Sequence, residues 1–194
     1  LAKIHILISS SNGKGVVIHN GVEANRFKKC NKSKVINNQI FSFGRIEYHK
    51  GFDLLINAFK EMLNYKPDLC LIIAGSGCES NYLNKIIEDS NLSNNISIIP
   101  WQNSEKIAEL MGSSRVIVFP SRKEAFGISV LEGLSSLKPV VATKVGGIPE
   151  ILQDYGILVT PTVNGIAEGL KLALDFTVNK KDIGIHLNKF ELDK

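Results

Sequence analysis

Between about residue 40 and residue 160 the chain alternates short apolar runs with longer segments whose apolar residues recur at helical spacing. The runs are Ile40 to Gly44, Leu69 to Ala74, Ile96 to Ile99, Val116 to Pro120, Val140 to Ala142 and Ile157 to Val159. They have strand length, and most are β-branched or aromatic, the pattern of strands buried on both faces. Between them Phe52, Leu55, Ile56, Phe59 and Leu63 mark one helix, Leu83, Ile86 and Ile87 a second, and Ile107, Leu110 and Met111 a third. Parallel neighbours need a crossover connection, usually a helix, so the alternation predicts an α/β domain built on a doubly wound, Rossmann-like parallel sheet. In such a domain ligands bind beyond the carboxyl ends of the strands, and the loops that follow strands are where chemistry is to be sought.

Composition excludes several classes. The 194 residues allow one sizeable core. A hydrophobic share of 44% against 22% charged excludes wholesale disorder. The net charge of +4 is spread thinly, with no Lys/Arg run longer than two residues, so no nucleic-acid partner is implied. Cys30, Cys70 and Cys78 form neither a CxxC pair nor a Cys/His cluster, which points to a reducing, cytoplasmic setting with neither a disulfide framework nor a metal site. Cys70 reads as a small core residue. No apolar stretch approaches the ~20 residues of a membrane-spanning helix.

Two post-strand loops carry the most chemistry. The loop after the fourth run, Pro120 to Glu132, passes into a helix with core positions Val130, Leu131 and Leu134, and two glutamates bracket the junction. A helix starting near Gly127 or Ile128 would turn its unpaired N–H groups and positive dipole end toward the cleft, which suits a phosphate. Glu132 then lies about 6 to 8 Å along the helix, within reach of a ribose, while Glu124 faces what lies beyond the phosphates. The loop after the first run, Gly44 to Gly51, brings Arg45 and Lys50 into one turn, where they could neutralise a diphosphate; a solvated turn or a salt bridge to Glu47 is the bland alternative. The Ala74-Gly75-Ser76-Gly77 loop allows close backbone approach but lacks a dinucleotide fingerprint. Gly146-Gly147-Ile148-Pro149-Glu150 serves equally as a tight strand-to-helix turn or a ligand contact.

These pieces resemble the retaining, metal-independent glycosyltransferases of the GT-B fold, in the large family four (glycosyl transferases group 1) that includes sucrose, phosphatidylinositol mannosyl and lipopolysaccharide transferases. Five segments match in order: Asn20-Gly21-Val22; Phe43-Gly44-Arg45 with Lys50-Gly51; Ala74 to Gly77; Ser121 to Glu132 with glutamates eight apart; and Pro139 to Ala142 with Gly146, Gly147 and Glu150. The resemblance implies that the chain is the C-terminal donor-binding half of such an enzyme. Residues 1–37 would be a remnant of the acceptor domain and linker, 38–178 the nucleotide-sugar-binding domain, and 179–194 a truncated tail.

By the same resemblance Arg45 and Lys50 look like the donor diphosphate ligands, Glu124 the contact to the transferred sugar, and Glu132 the ribose ligand. Phe126, Gly127 and Ile128 would offer backbone amides, with Gly75 close to the donor. The substrate is a UDP-, GDP- or ADP-sugar, with no cofactor and no metal. The acceptor, a glycan or lipid-linked molecule as in polysaccharide or lipopolysaccharide biosynthesis, would be held by the N-terminal domain, at the inner face of the membrane where it is lipid-linked. This chain alone is then expected to bind donor without completing transfer. The family commonly ends the third strand in a glycine near the base, whereas here it reads Ile99-Pro100-Trp101-Gln102. Trp101 either stacks on the base or packs against the neighbouring helix, and aromatic side chains favour packing. His5, His19, His49 and His186 occupy none of the matching positions. Other readings are an inactive binding or assembly module and a GT-B enzyme, such as an epimerase, acting on the nucleotide sugar itself.

Overall fold

The computed structural model describes residues 34–190. Six parallel strands form one sheet: β1 (Ile36–Phe43), β2 (Cys70–Ala74), β3 (Ile96–Ile99), β4 (Ser114–Phe119), β5 (Val140–Thr143) and β6 (Ile157–Val159), in the spatial order β3-β2-β1-β4-β5-β6. The expected doubly wound, Rossmann-like architecture is therefore observed. In β1, β4 and β5 successive side chains enter opposite layers, as the two-residue period of a strand requires. Ile40, Val116, Val118 and Val141 pack on one face with α1 (Phe52–Tyr65), α2 (Ser80–Asp89) and α6 (Val163–Asp175). Phe41, Phe43, Ile117, Phe119, Val140 and Ala142 pack on the other with α3 (Ser104–Ser113), α4 (Ile128–Ser135), α5 (Ile148–Leu152) and α7 (Lys180–Leu187). The central runs are apolar throughout because both of their faces are covered.

Each crossover helix buries one stripe. In α1 the stripe is Phe52, Leu55, Ile56, Phe59 and Met62, with Asp53 in the first turn, where a carboxylate complements the positive helix end. Truncating a fully buried member such as Ile56 to alanine removes methyl groups and leaves a void, an effect of about 2–5 kcal/mol. Capping fixes where other helices begin: Asn103 Oδ1 accepts from Lys106 N at 2.9 Å, and Thr162 Oγ1 from Gly165 N at 3.1 Å.

Residues 179–190, part of the segment that the sequence sets apart as a tail, pack on the same core. Ile183, Leu187 and Phe190 are buried in the second layer. His186 is also buried, its ring stacked on Tyr155 with centroids 4.3 Å apart and meeting Phe190 edge-on at 5.3 Å. Its Nε2 lies 2.7 Å from the Ile151 carbonyl, which can only accept, so Nε2 carries the proton.

Trp101 corrects the expectation of packing. It is 60% exposed, beyond Pro100 at the end of the edge strand β3, and its backbone N–H donates to Ser76 Oγ at 3.3 Å. An edge strand has no neighbouring crossover to bury a side chain at its far end. Cys70, expected in the core, is half-buried, and its Sγ lies 3.5 Å from the Asn38 carbonyl. The Asn20-Gly21-Val22 segment, Cys30, His5 and His19 lie outside the described residues.

Candidate functional site

Successive strands step one way from β1, through β2 to β3, and the other way from β4, through β5 to β6. Chain connections therefore diverge at β1 and β4 and leave a crevice beyond their carboxyl ends. The loops leaving these two strands are the two that the sequence singles out. Between them, and bordered by the loop after β5, lies a cleft of ≈ 580 Å³ lined by Arg45, His49, Lys50, Arg122, Lys123, Glu124, Ala125, Val145 and Gly146.

The structure brings Lys50 and Glu124 into direct contact. Lys50 Nζ donates to Glu124 Oε2 at 2.6 Å, and each side chain is only 18% exposed. Arg45 reaches the cleft differently: its guanidinium, 67% exposed, lies 3.1 Å from Glu47 Oε1. That ion pair is the alternative the sequence reading named, and at such exposure it contributes little and is easily exchanged. His49 Nδ1 lies 3.2 Å from the other oxygen of Glu47.

Arg122 and Asp53, to which the sequence reading gave no role, hold the two loops together. Arg122 makes two parallel bonds to the Asp53 carboxylate, both 2.7 Å, and a third to the Tyr48 carbonyl at 3.0 Å. Its guanidinium also lies 4.2 Å from the Tyr48 ring centroid. Hydrogen bonding to Asp53 raises the Arg122 pKa above its ordinary value. Backbone bonds reinforce the clamp, with Arg122 N and Lys123 N both donating to the His49 carbonyl, at 2.8 and 3.2 Å.

Glycines permit this closeness. Gly51 (φ 69°) caps α1, and a Cβ there would overlap the Pro120 carbonyl oxygen. Gly146 (φ 51°) sits so close beneath Glu124 that a Cβ would overlap the Glu124 carbonyl oxygen. Gly75 is buried, and what approaches it is the Gly44 carbonyl, so its small size already serves the packing of one loop on the next.

The remaining predicted residues stand beside the cleft rather than in its lining. Gly127 and Ile128 form the start of α4, as expected, and the first helical bonds run from Val130 N and Leu131 N to the Gly127 carbonyl, at 2.9 and 3.2 Å. The N–H groups of Ile128 and Ser129 thus lie at the open helix end. Phe126, half-buried, meets Phe190 edge-on at 6.3 Å, so the C-terminal turn Asn188–Phe190 supports this loop. Glu132 is half-buried on α4.

The profile of the glycosyl transferases group 1 family matches residues 23–183. The chain belongs to the glycosyl transferases group 1 family. This group 1 chain is 31% identical over 200 residues to an uncharacterized glycosyltransferase of Methanocaldococcus jannaschii, covering 91% of this chain and 51% of that relative. It therefore spans about half the length of that relative. A glycosyltransferase from Rickettsia africae superposes with a TM-score of 0.76 at 26% identity, over 91% of this chain and 53% of that one. Anabaena HepE, solved in complex with UDP and glucose, superposes with a TM-score of 0.72 at 23% identity, over 91% and 53% of the respective chains, a likeness of fold.

Proposed function

We propose that this group 1 chain is the C-terminal, nucleotide-sugar-binding half of a GT-B glycosyltransferase that transfers a sugar with retention of configuration. The observation that carries the reading is the convergence of Lys50 and Glu124, contributed by two different post-strand loops, in one cleft at the reversal of strand order. Arg45 and Lys50 take the donor diphosphate, the first as a planar fork, the second as a point charge. Glu124 faces the transferred sugar and Glu132 the ribose. The open end of α4 and the backbone at Phe126 to Ile128 meet the phosphates.

When the glycosidic bond breaks, negative charge builds on the departing nucleoside diphosphate. Once they hold the diphosphate, the cations and helix N–H groups stabilise that charge as it develops, and this is the main catalytic contribution such a half can make. The acceptor, a glycan or lipid-linked molecule, is held by a partner domain of the full-length enzyme. HepE, with UDP and glucose on the same fold, supports a nucleoside-diphosphate donor. Two glutamates eight positions apart support retention, through the family resemblance. Calorimetric titration of the folded chain with UDP, GDP and ADP tests the proposal: one of them binds saturably, and binding by none overturns it.

A further inference from the structure

We infer that Glu124 is an internal competitor for Lys50, so that the site prefers a sugar-bearing nucleoside diphosphate to the bare nucleoside diphosphate left after transfer. The inference rests on the donor-binding reading above and concerns how that site discriminates between its two nucleotides.

The ion pair joins the cation proposed for the diphosphate to the acid proposed for the sugar, at 2.6 Å and with both side chains mostly withdrawn from water. The backbones that carry the two side chains are held: Lys50 sits in the short turn Tyr48–Lys50, with its backbone N–H bonded to the Glu47 carbonyl at 2.8 Å, and the Glu124 carbonyl lies against the backbone of Gly146. The Arg122–Asp53 clamp fixes the distance between their loops.

Any diphosphate that engages Lys50 shares it with Glu124, weakening the ion pair and placing new negative charge beside a half-buried carboxylate. Such a carboxylate is costly unless something else donates to it. A bare nucleoside diphosphate offers nothing. A sugar-bearing one brings hydroxyl donors to the carboxylate, and esterification of its terminal phosphate removes about one negative charge. The arrangement so favours loading with donor and release of the spent nucleotide.

Calorimetry on the wild-type chain and its variants tests this, using UDP, GDP and ADP beside UDP-glucose, UDP-N-acetylglucosamine, GDP-mannose and ADP-glucose. Glu124→Gln, which keeps the shape and removes the charge, is expected to tighten binding of the bare nucleotide about two- to fivefold, the range for a solvent-accessible charge pair, while weakening the sugar nucleotide. Glu124→Ala provides the same reading should the amide find a new partner. Lys50→Met should erase the gain, so that the double variant Lys50→Met with Glu124→Gln binds bare nucleotide no better than Lys50→Met alone. If wild type binds a nucleotide but neither Glu124 variant binds it more tightly, this inference is overturned while the donor reading stands. If wild type binds none of the nucleotides, the donor reading fails and takes this inference with it. Circular dichroism melting confirms that each variant is folded.

Discussion

Arg122 and Asp53, 69 positions apart in the chain, meet in two parallel hydrogen bonds of 2.7 Å and thereby fix the loop after β4 against the start of α1. The two side chains are 21% and 18% exposed, so the pair is mostly desolvated and its bidentate geometry is worth more than a surface contact. Asp53→Ala and Arg122→Ala should each lower stability by about 1–3 kcal/mol, because each leaves an unpaired charge in a half-buried place. The two should be strongly non-additive in a double-mutant cycle followed by urea unfolding. Strictly additive losses would mean that the clamp is not a coupled unit. Because the clamp aligns Lys50 with Glu124, nucleotide affinity should fall in both single variants.

Arg45 should separate binding from stability. Its side chain is 67% exposed and, among the described residues, paired with Glu47, so Arg45→Ala should leave the urea midpoint nearly unchanged, within about 0.5 kcal/mol. The same variant should weaken nucleoside diphosphate binding about tenfold and flatten its salt dependence, since a charge-assisted bond to a phosphate is lost. Unaltered affinity would remove Arg45 from the site.

Gly146→Ala should damage the loop that carries Glu124. The residue has φ 51°, and the new methyl group would collide with the Glu124 carbonyl oxygen, so the backbone must shift. A destabilisation of about 1–3 kcal/mol is expected, together with lost nucleotide binding. Thermal unfolding and calorimetry measured on one preparation would reveal whether both follow; wild-type behaviour in both would show that the loop has room to yield.

His186 should make stability pH-dependent. Burial pushes its pKa below the ordinary value of 6.5, an effect larger than the opposing pull of the Ile151 carbonyl, with Lys189 adding to the lowering. The unfolded chain then binds the proton more readily than the folded one, so this contribution is fully present above the unfolded pKa. It is lost as pH falls below about 6.5 toward the depressed folded value. Urea unfolding between pH 7.5 and 5.5 should show falling stability for wild type and a flatter profile for His186→Gln, which retains a donor for Ile151. Equal slopes would assign the pH dependence to other groups.

Of the stretches that the sequence marks as chemically rich, Gly44 to Gly51 and Pro120 to Glu132, the first lines the cleft through Arg45, His49 and Lys50 and the second through Arg122 to Ala125 only, because apolar runs followed by glycines and charges mark strand ends locally. What was missed involves partners remote in sequence or weak periodic signals. Asp53 looked like an ordinary acidic residue in a first helical turn, and Arg122 like one more loop cation, until folding joined them. Ile166, Leu170 and Ala173 after Thr162 offered a helical spacing for α6, diluted by Gly165 and Gly169. The helix α7 buries only Ile183, His186 and Leu187, too few apolar residues to register as a stripe.

Local chemistry was enough to determine the alternation of strand and helix, the two-sided burial of the central strands and the positions of the glycine-bearing loops, since each depends on residues a few positions apart. The order β3-β2-β1-β4-β5-β6 was decided only by the tertiary structure, and so were the pairing of Lys50 with Glu124 and the clamp of Arg122 on Asp53. Those contacts span about seventy positions and have no local signature. They exist because parallel strands with helical crossovers bring the ends of β1 and β4 side by side, however far apart they lie along the chain.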